Sequence, residues 1–161
     1  MQYIYAKAAN SQKGFSMLEA VVGTAIILSV FVGLITAYNI ALKTSLGIAE
    51  SIKAIYLLEE GIEAVIVMRD EGWDDNIASI SPDNPYEFYW DGNTWTATTT
   101  PQVIDGLYVR EFVVSPVYRD DNDDISSGGT LDDGTKKITV TVSWRSKQKE
   151  MATYITRAFE N

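Results

Sequence analysis

Residues 13–19 are Lys13-Gly14-Phe15-Ser16-Met17-Leu18-Glu19, and a run of 23 residues without a charged side chain follows them, from Ala20 to Leu42. As a helix that rises about 1.5 Å per residue, this run is long enough to cross the roughly 30 Å hydrocarbon core of a bilayer. The sequence therefore predicts a helix near the N-terminus that spans or anchors in a membrane.

Glu19 needs an explanation of its own, because a carboxylate at the edge of a membrane helix is costly unless it has a partner. Cleavage between Gly14 and Phe15 would create such a partner, a new α-amino group one helical turn from Glu19. The pKa of an α-amino group is ordinarily near neutral or slightly above, so this group would carry positive charge for part or most of the time. In a bundle of staggered helices, the amine of one subunit could then pair with Glu19 of the next.

These residues resemble the N-terminal signal of type IV pilins, type II secretion pseudopilins and minor pilins. The shared features are a short basic leader that ends in glycine, then phenylalanine, three further residues, glutamate and an apolar helix. The resemblance implies cleavage after Gly14 by a prepilin peptidase, N-methylation of Phe15 and a role for Glu19 in filament assembly. It also implies that the partners are other pilin or pseudopilin subunits and, before assembly, the lipid of the inner membrane.

Two other interpretations of the N-terminal segment remain open. A secretory signal peptide has an apolar region of only about 7–15 residues before its cleavage site, which is shorter than the run found here. The second alternative is a membrane-anchored extracytoplasmic binding module that is not incorporated in a filament. Whether the helix anchors a filament subunit or a binding module, Lys7 and Lys13 hold the N-terminal end in the cytoplasm. We expect a single-pass precursor in the inner (cytoplasmic) membrane with its C-terminus outside, followed by a cell-surface or periplasmic filament.

The composition narrows the classes of function. The formal net charge of −9 becomes −11 after cleavage, because residues 1–14 carry two lysines and no acidic residue. This acidic balance argues against direct binding to nucleic acid, which needs clustered basic residues. The chain has no cysteine and no histidine, so disulfides, thiolate metal sites and histidine-based catalysis are excluded. We therefore expect a structural protein and not an enzyme.

Four segments follow from the pattern along the chain. They are a leader at 1–14, a transmembrane and filament-assembly helix at 15–42, an amphipathic helix at 43–70 and a β-rich globular domain at 71–161. In the amphipathic segment, apolar residues recur at helical spacing and predict a stripe packed on the globular domain. The stripe consists of Ile48, Ile52, Ile55, Leu58, Ile62, Val65 and Ile66. The arc opposite to it carries Lys43, Glu50, Lys53, Glu60 and Glu63.

The end of the helix and the strands after it have local signals. Gly61 is expected to weaken the helix by about 1 kcal/mol relative to Ala, and Gly72 is expected to end it in a left-handed cap. Asp91-Gly92-Asn93 predicts a tight turn between two aromatic-rich strands. Further strands are predicted at 107–114, 138–144 and 151–157, the last after a polar turn at 145–149. The predicted fold class is α+β, with a long N-terminal helix packed on an antiparallel meander of four or five strands, and it is pilin-like by resemblance.

An acidic loop is the only candidate metal site in the sequence. Calcium prefers six to eight oxygen ligands, and the candidate ligands are Asp120, Asn122, Asp124, Asp132 and Asp133. The spacing departs from that of an EF-hand, since Ile125 stands where that loop needs glycine and Leu131 where it needs glutamate. A solvated turn is the alternative. We expect no other cofactor.

Four aromatic residues cluster in the sequence around the predicted hairpin. They are Trp73, Tyr89, Trp90 and Trp95. A domain this small needs large apolar side chains in its core, which favours buried positions for them. The alternative is that some of these rings are exposed and contact another subunit or an adhesion target.

Overall fold

The computed structural model of the chain describes residues 14–157. The predicted leader, with Lys7 and Lys13, therefore lies outside the described residues except for Gly14. The described residues confirm an α+β fold that consists of a long apolar N-terminal helix and a C-terminal antiparallel sheet. The chain divides into two compact units, one that ends at Gly47 and one that begins at Ile48.

Helix α1 spans Met17–Glu71, and its first part exposes its apolar side chains. From Met17 to Leu46, the exposed fraction of the large apolar residues lies between 44% and 86%. The hydroxyls of Thr24, Ser29 and Thr36 each donate to the carbonyl four residues earlier, at 2.7–2.9 Å. These bonds give each hydroxyl a hydrogen-bond partner within the helix, which a polar side chain needs in lipid, where no water can bind it. The helix is long and apolar enough to cross a membrane.

Seven antiparallel strands form one sheet in the described chain. They are β1 (Pro85–Trp90), β2 (Trp95–Thr98), β3 (Val103–Ile104), β4 (Tyr108–Arg119), β5 (Ile125–Ser126), β6 (Thr130–Trp144) and β7 (Lys147–Thr156). The main order is β2-β1-β4-β6-β7, while β3 and β5 each pair with β4. The prediction of four or five strands missed the two-residue strands. The three long strands β4, β6 and β7 form a meander that is shorter than the predicted one of four or five strands, because β2 lies outside β1 at the edge of the sheet.

The second part of α1 packs on the sheet through a set of residues that differs from the predicted stripe. Its buried positions are Ala54, Leu57, Leu58, Gly61, Ala64, Val65 and Met68. From the predicted stripe only Leu58 and Val65 are fully buried, and Ile62 and Ile66 are partly buried. The other three stripe residues, Ile48, Ile52 and Ile55, are 38–55% exposed. The prediction was wrong for these three.

The size of the side chains explains this rotation of the helix. Small residues at 54, 61 and 64 let the helix backbone approach the sheet closely, whereas isoleucine at these positions would hold the two apart. The side chains that pack on the helix from the sheet include Phe88, Phe112, Ile138, Val140 and Val142. At about 100° per residue, Ile48, Ile52 and Ile55 lie on the opposite side of the helix from the small residues.

Charged residues that were expected on the solvent side of the helix instead pair with the sheet domain. The pairs are Glu50–Arg145 at 2.9 Å, Lys53–Asp105 at 3.1 Å and Glu60–Arg110 at 3.2 Å. The Tyr108 hydroxyl adds a hydrogen bond to the carbonyl of Glu50, at 3.2 Å. These contacts flank the buried positions and fix the rotation of the helix on the sheet.

The two glycines singled out in the helix play roles other than those predicted. A Cβ atom at Gly61 would lie 2.8 Å from Val140 Cγ1 and 3.2 Å from Arg110 Cδ. Gly61 is therefore a point of close contact and not merely a weak position. Gly72 is absent from the glycines with positive φ in the described chain, so the predicted left-handed cap is wrong. The backbone continues into a π-helical turn at Asp74–Ala78, and the Asn76 amide donates to the carbonyl of Met68 at 3.1 Å.

The predicted turn between β1 and β2 is confirmed. Gly92 has a φ of +100°, a conformation that glycine adopts without strain. The Asp91 carboxylate accepts hydrogen bonds from the backbone amides of Asn93 and Thr94 at 2.8 and 2.9 Å. Both bonds lower the pKa of Asp91 below its ordinary value, and the bond from Thr94 has the larger effect.

Candidate functional site

The predicted cleavage position lies just outside the helix. Residues Gly14 to Ser16 are not helical, and α1 begins at Met17. Phe15 is 82% exposed, and among the described residues beyond its chain neighbours no atom would lie within 4 Å of a Cβ placed on Gly14. The peptide bond between Gly14 and Phe15 is therefore in exposed, non-helical backbone, which is the kind of segment that a protease can bind.

Ser16 caps the helix that follows this bond. Its hydroxyl oxygen accepts a hydrogen bond from the amide of Leu18 at 3.2 Å, which satisfies one of the amides left free at a helix start. Ser16 and Glu19 have the spacing of a capping box, in which a glutamate three residues after the cap supports the same turn. The spacing is visible in the sequence, although the cap is not among the predictions made from it.

Glu19 also occupies a favourable position at the helix start. It lies in the first turn of α1, where a negative charge is favoured by the partial positive charge of the helix start. A test of Glu19 in assembly must therefore separate its charge from its contribution to the helix start.

The acidic loop is organised by hydrogen bonds to its own backbone. The Asp120 carboxylate accepts from the amides of Asn122 and Asp124 at 2.9 and 3.1 Å. Asp123 adopts a φ of +67° in the same turn. Asp120 thus stabilises a turn by accepting hydrogen bonds from nearby backbone amides, as aspartate side chains commonly do.

Asp132 and Asp133 lie in β6 and not in this loop. The carboxylate of Asp132 pairs with Arg119 Nε at 2.7 Å and accepts from the amide of Gly134 at 3.0 Å. Within residues 14–157, no group of three or more acidic residues is arranged to hold a metal ion. The structure does not bring the five predicted calcium ligands together, so the calcium prediction has no support from the geometry.

The contact of Asp132 with Arg119 makes the stability of the domain depend on pH. The hydrogen bond from Arg119, followed by that from Thr135, lowers the pKa of Asp132. A carboxyl group whose pKa is lower in the folded state stabilises the protein above its unfolded pKa of about 3.9, and this contribution is lost as the pH falls. We expect Asp132→Asn to reduce thermal stability near neutral pH, and the difference from wild type to shrink in acid.

The measurement is thermal unfolding of the full chain in detergent micelles at about pH 7 and about pH 3. Asp133→Asn is the matched control, because it removes the same charge from an exposed neighbour in β6. An equal loss of stability in the two variants at neutral pH would contradict the role given to the ion pair.

A second cluster lies where β1, β2 and β4 meet the helix. Arg110, in β4, is only 4% exposed, and its Nη1 donates to the carbonyl of Leu57 at 3.1 Å. Its guanidinium carbon lies 4.9 Å from the ring centre of Phe88 and 5.5 Å from that of Trp95. Glu60 pairs with the same guanidinium at 3.2 Å. The alternation in β4 contained the signal for this burial, since Arg110 shares the face of Tyr108 and Phe112, but sequence reasoning missed it.

The four aromatic residues around the hairpin divide between the core and the surface. Trp73 is buried and Trp95 packs against the core. Tyr89 and Trp90 are 47% and 48% exposed. The expectation of core positions is therefore confirmed for the first two residues and wrong for the other two. Tyr89 alternates with the buried Phe88 and therefore lies on the opposite face of β1, and Trp90 is the last residue of β1, paired with Trp95 of the edge strand β2.

Comparisons with protein-family models, with curated proteins and with solved structures gave no match. Two features of the chain itself therefore bear on function. One is the N-terminal segment from Gly14 to Glu19 with the apolar helix that follows, and the other is the cluster around Arg110.

Proposed function

We propose that this chain is a structural subunit of a type IV pilus or of a type II secretion pseudopilus, processed after Gly14 and assembled through its N-terminal helix. The observation that carries the proposal is the combination of the Gly14-to-Glu19 motif with an apolar helix whose side chains are exposed from Met17 to Leu46. Such a surface needs lipid or other apolar helices to cover it.

Two further observations support the proposal. The bond to be cleaved is exposed and precedes the helix by two residues, so cleavage would leave α1 and its Ser16 cap intact. The isoleucines at 48, 52 and 55 are exposed on the side of the helix that faces away from the sheet, so this part of α1 also has an apolar surface that other subunits can cover. In a filament, this side of the helix would face neighbouring subunits while the acidic sheet domain faced outward.

In the proposed mechanism, the precursor lies in the inner membrane with the sheet domain outside. A prepilin peptidase cleaves it and Phe15 becomes the methylated N-terminus. The apolar helix then moves from lipid into a helical bundle, where Glu19 pairs with an amine. The alternative, a membrane-anchored binding module, would share the topology but would need neither cleavage nor Glu19.

The processing step is tested by intact mass and N-terminal sequencing of the protein from membranes and from sheared surface material. In cells with an active prepilin peptidase, we expect a chain that starts at methylated Phe15. Gly14→Val should accumulate as the precursor, because a side chain next to the cleaved bond would obstruct the peptidase. It should not disturb the fold, since no residue of the described chain other than its neighbours in sequence lies within 4 Å of the new Cβ.

Gly128→Val is the matched control, because Gly128 is equally free of neighbours within 4 Å but lies far along the chain. We expect this variant to be processed normally. A wild-type chain that retains Met1 in such cells would contradict the proposal and favour the anchored module.

A further inference from the structure

The cluster around Arg110 lines a cavity, which we call the aromatic pocket. It has a volume of about 300 Å³, at the lower end of the range for small-molecule sites. The residues that matter for its chemistry are Glu60, Phe88, Trp90, Trp95, Gln102 and Arg110. From these residues we propose that the aromatic pocket binds a neutral saccharide.

The aromatic wall of the pocket is partly accessible. The ring centres of Trp90 and Trp95 are 5.2 Å apart, with an angle of 54° between the ring planes. Trp95 also packs edge-on against Phe88 at 6.2 Å, which fixes its position. Trp90 is 48% exposed, so it offers an apolar ring surface to which the carbon-bound hydrogens of a sugar ring can pack.

The polar groups of the pocket are held in place beside this wall. Three contacts, with the carbonyl of Leu57 and with both carboxylate oxygens of Glu60, occupy part of the Arg110 guanidinium. Nε has no hydrogen-bond partner among residues 14–157, but this atom is buried and Arg110 is only 4% exposed, so Arg110 positions Glu60 and supports the aromatic rings instead of binding a ligand itself. Glu60, whose side chain is 50% exposed, adds acceptors, and the Gln102 amide adds both kinds of group.

The charges at the pocket favour a neutral ligand. Glu60 pairs with Arg110 at 3.2 Å, so the pair carries no net charge and a charged ligand gains little electrostatic energy from it. A wholly apolar ligand would cover these polar groups without offering hydrogen bonds, which is costly. A short saccharide satisfies both conditions, because it has an apolar ring face and many uncharged hydroxyl groups. The inference concerns the sheet domain and does not depend on filament assembly.

The experiment uses the full chain in micelles of a zwitterionic detergent whose headgroup contains no sugar. The probes are maltotriose and the trimer of N-acetylglucosamine, titrated while tryptophan fluorescence and saturation-transfer NMR are recorded. We expect saturable binding of at least one probe with a Kd of about 1 mM or below. Trp90→Ala should weaken this binding about tenfold, which is the loss expected for one aromatic contact.

Two further variants make the test decisive. Gln102→Ala removes a polar group that contributes little to the fold and should also weaken binding. It serves in place of Trp90→Ala if circular dichroism shows that the latter is unfolded. Tyr154→Ala is the matched control, because Tyr154 is 48% exposed in β7 and does not line the pocket. This variant should bind as the wild type does.

Three outcomes would overturn the proposal. The first is no saturable response to either probe up to about 10 mM. The second is binding that neither Trp90→Ala nor Gln102→Ala weakens. The third is a Trp90→Ala variant that loses filament yield while the wild type binds no saccharide, which would assign the exposed ring to contact with another subunit.

Discussion

Glu19→Gln is expected to reduce incorporation into sheared surface filaments by about tenfold to hundredfold, with the amount in the membrane unchanged. This range corresponds to the loss of one charge-assisted hydrogen bond, about 1.5–3 kcal/mol. Glutamine can replace glutamate at the third position of a capping box, so this variant retains the helix start and removes the charge. The readout is the ratio of filament to membrane protein by immunoblot.

Glu19→Ala and Glu59→Gln complete this experiment. Glu19→Ala removes both the charge and the capping side chain, so it should fail as Glu19→Gln does if the charge matters for assembly. Glu59 is an exposed glutamate in the same helix, and Glu59→Gln should assemble normally. Normal assembly of Glu19→Gln with failure of Glu19→Ala would limit the residue to its helical role. Normal assembly of both would favour the anchored module.

Gly61→Leu is expected to lower the free energy of unfolding of the sheet domain by about 3 kcal/mol, the upper end of the cost of overpacking a core. The Cβ atom alone would lie 2.8 Å from Val140 Cγ1, and Val140 is fully buried in β6. Because valine is branched at Cβ and stiff, the helix would have to move away from the sheet. That movement would also disturb the contact of Arg110 with Leu57.

Thermal unfolding in micelles, followed by near-ultraviolet circular dichroism, measures this loss. Glu63→Leu is the matched control, because it places the same side chain at an exposed position in the same helix. We expect its stability to change by less than about 0.5 kcal/mol. If Gly61→Leu were as stable as this control, the close approach of helix and sheet would be contradicted.

The elements with strong local signals could be predicted from the sequence. The apolar run and the helical spacing that follows it predicted the helix to within a few residues of its ends. The Asp91-Gly92 pair gave the hairpin, because few residues other than glycine accept a φ of +100°. These predictions depend on residues that are close in sequence, and tertiary contacts did not override them.

The rotation of the helix on the sheet could not be predicted in the same way. Counting apolar residues favours Ile48, Ile52 and Ile55, because isoleucine is more hydrophobic than alanine or glycine. The sheet instead selects small residues, since the closeness of two packed backbones depends on side-chain volume. The helix has two apolar sides, and the sequence does not reveal which of them its own sheet covers.

The two candidate sites also differ in how far they could be predicted from the sequence. Gly14, Phe15 and Glu19 form a contiguous motif and are visible in the sequence. The pocket around Arg110 joins residues from a helix and four strands, and two of these residues, Leu57 and Arg110, are 53 positions apart in the sequence. The acidic composition predicts that Asp132 belongs to the same loop as Asp120, but pairing with Val117 of β4 places it in a strand.

The charged side chains of strand β7 affect whether copies of this domain aggregate when they lie close together. The strand lies at the end of the strand order in the described sheet and is ten residues long, so one side of its backbone is a template for adding a foreign strand. Lys147, Lys149 and Glu150 lie along it, and charged side chains on an edge discourage such pairing. Even when many copies of the domain lie close together, they can therefore remain separate and avoid irreversible aggregation through the edges of their sheets.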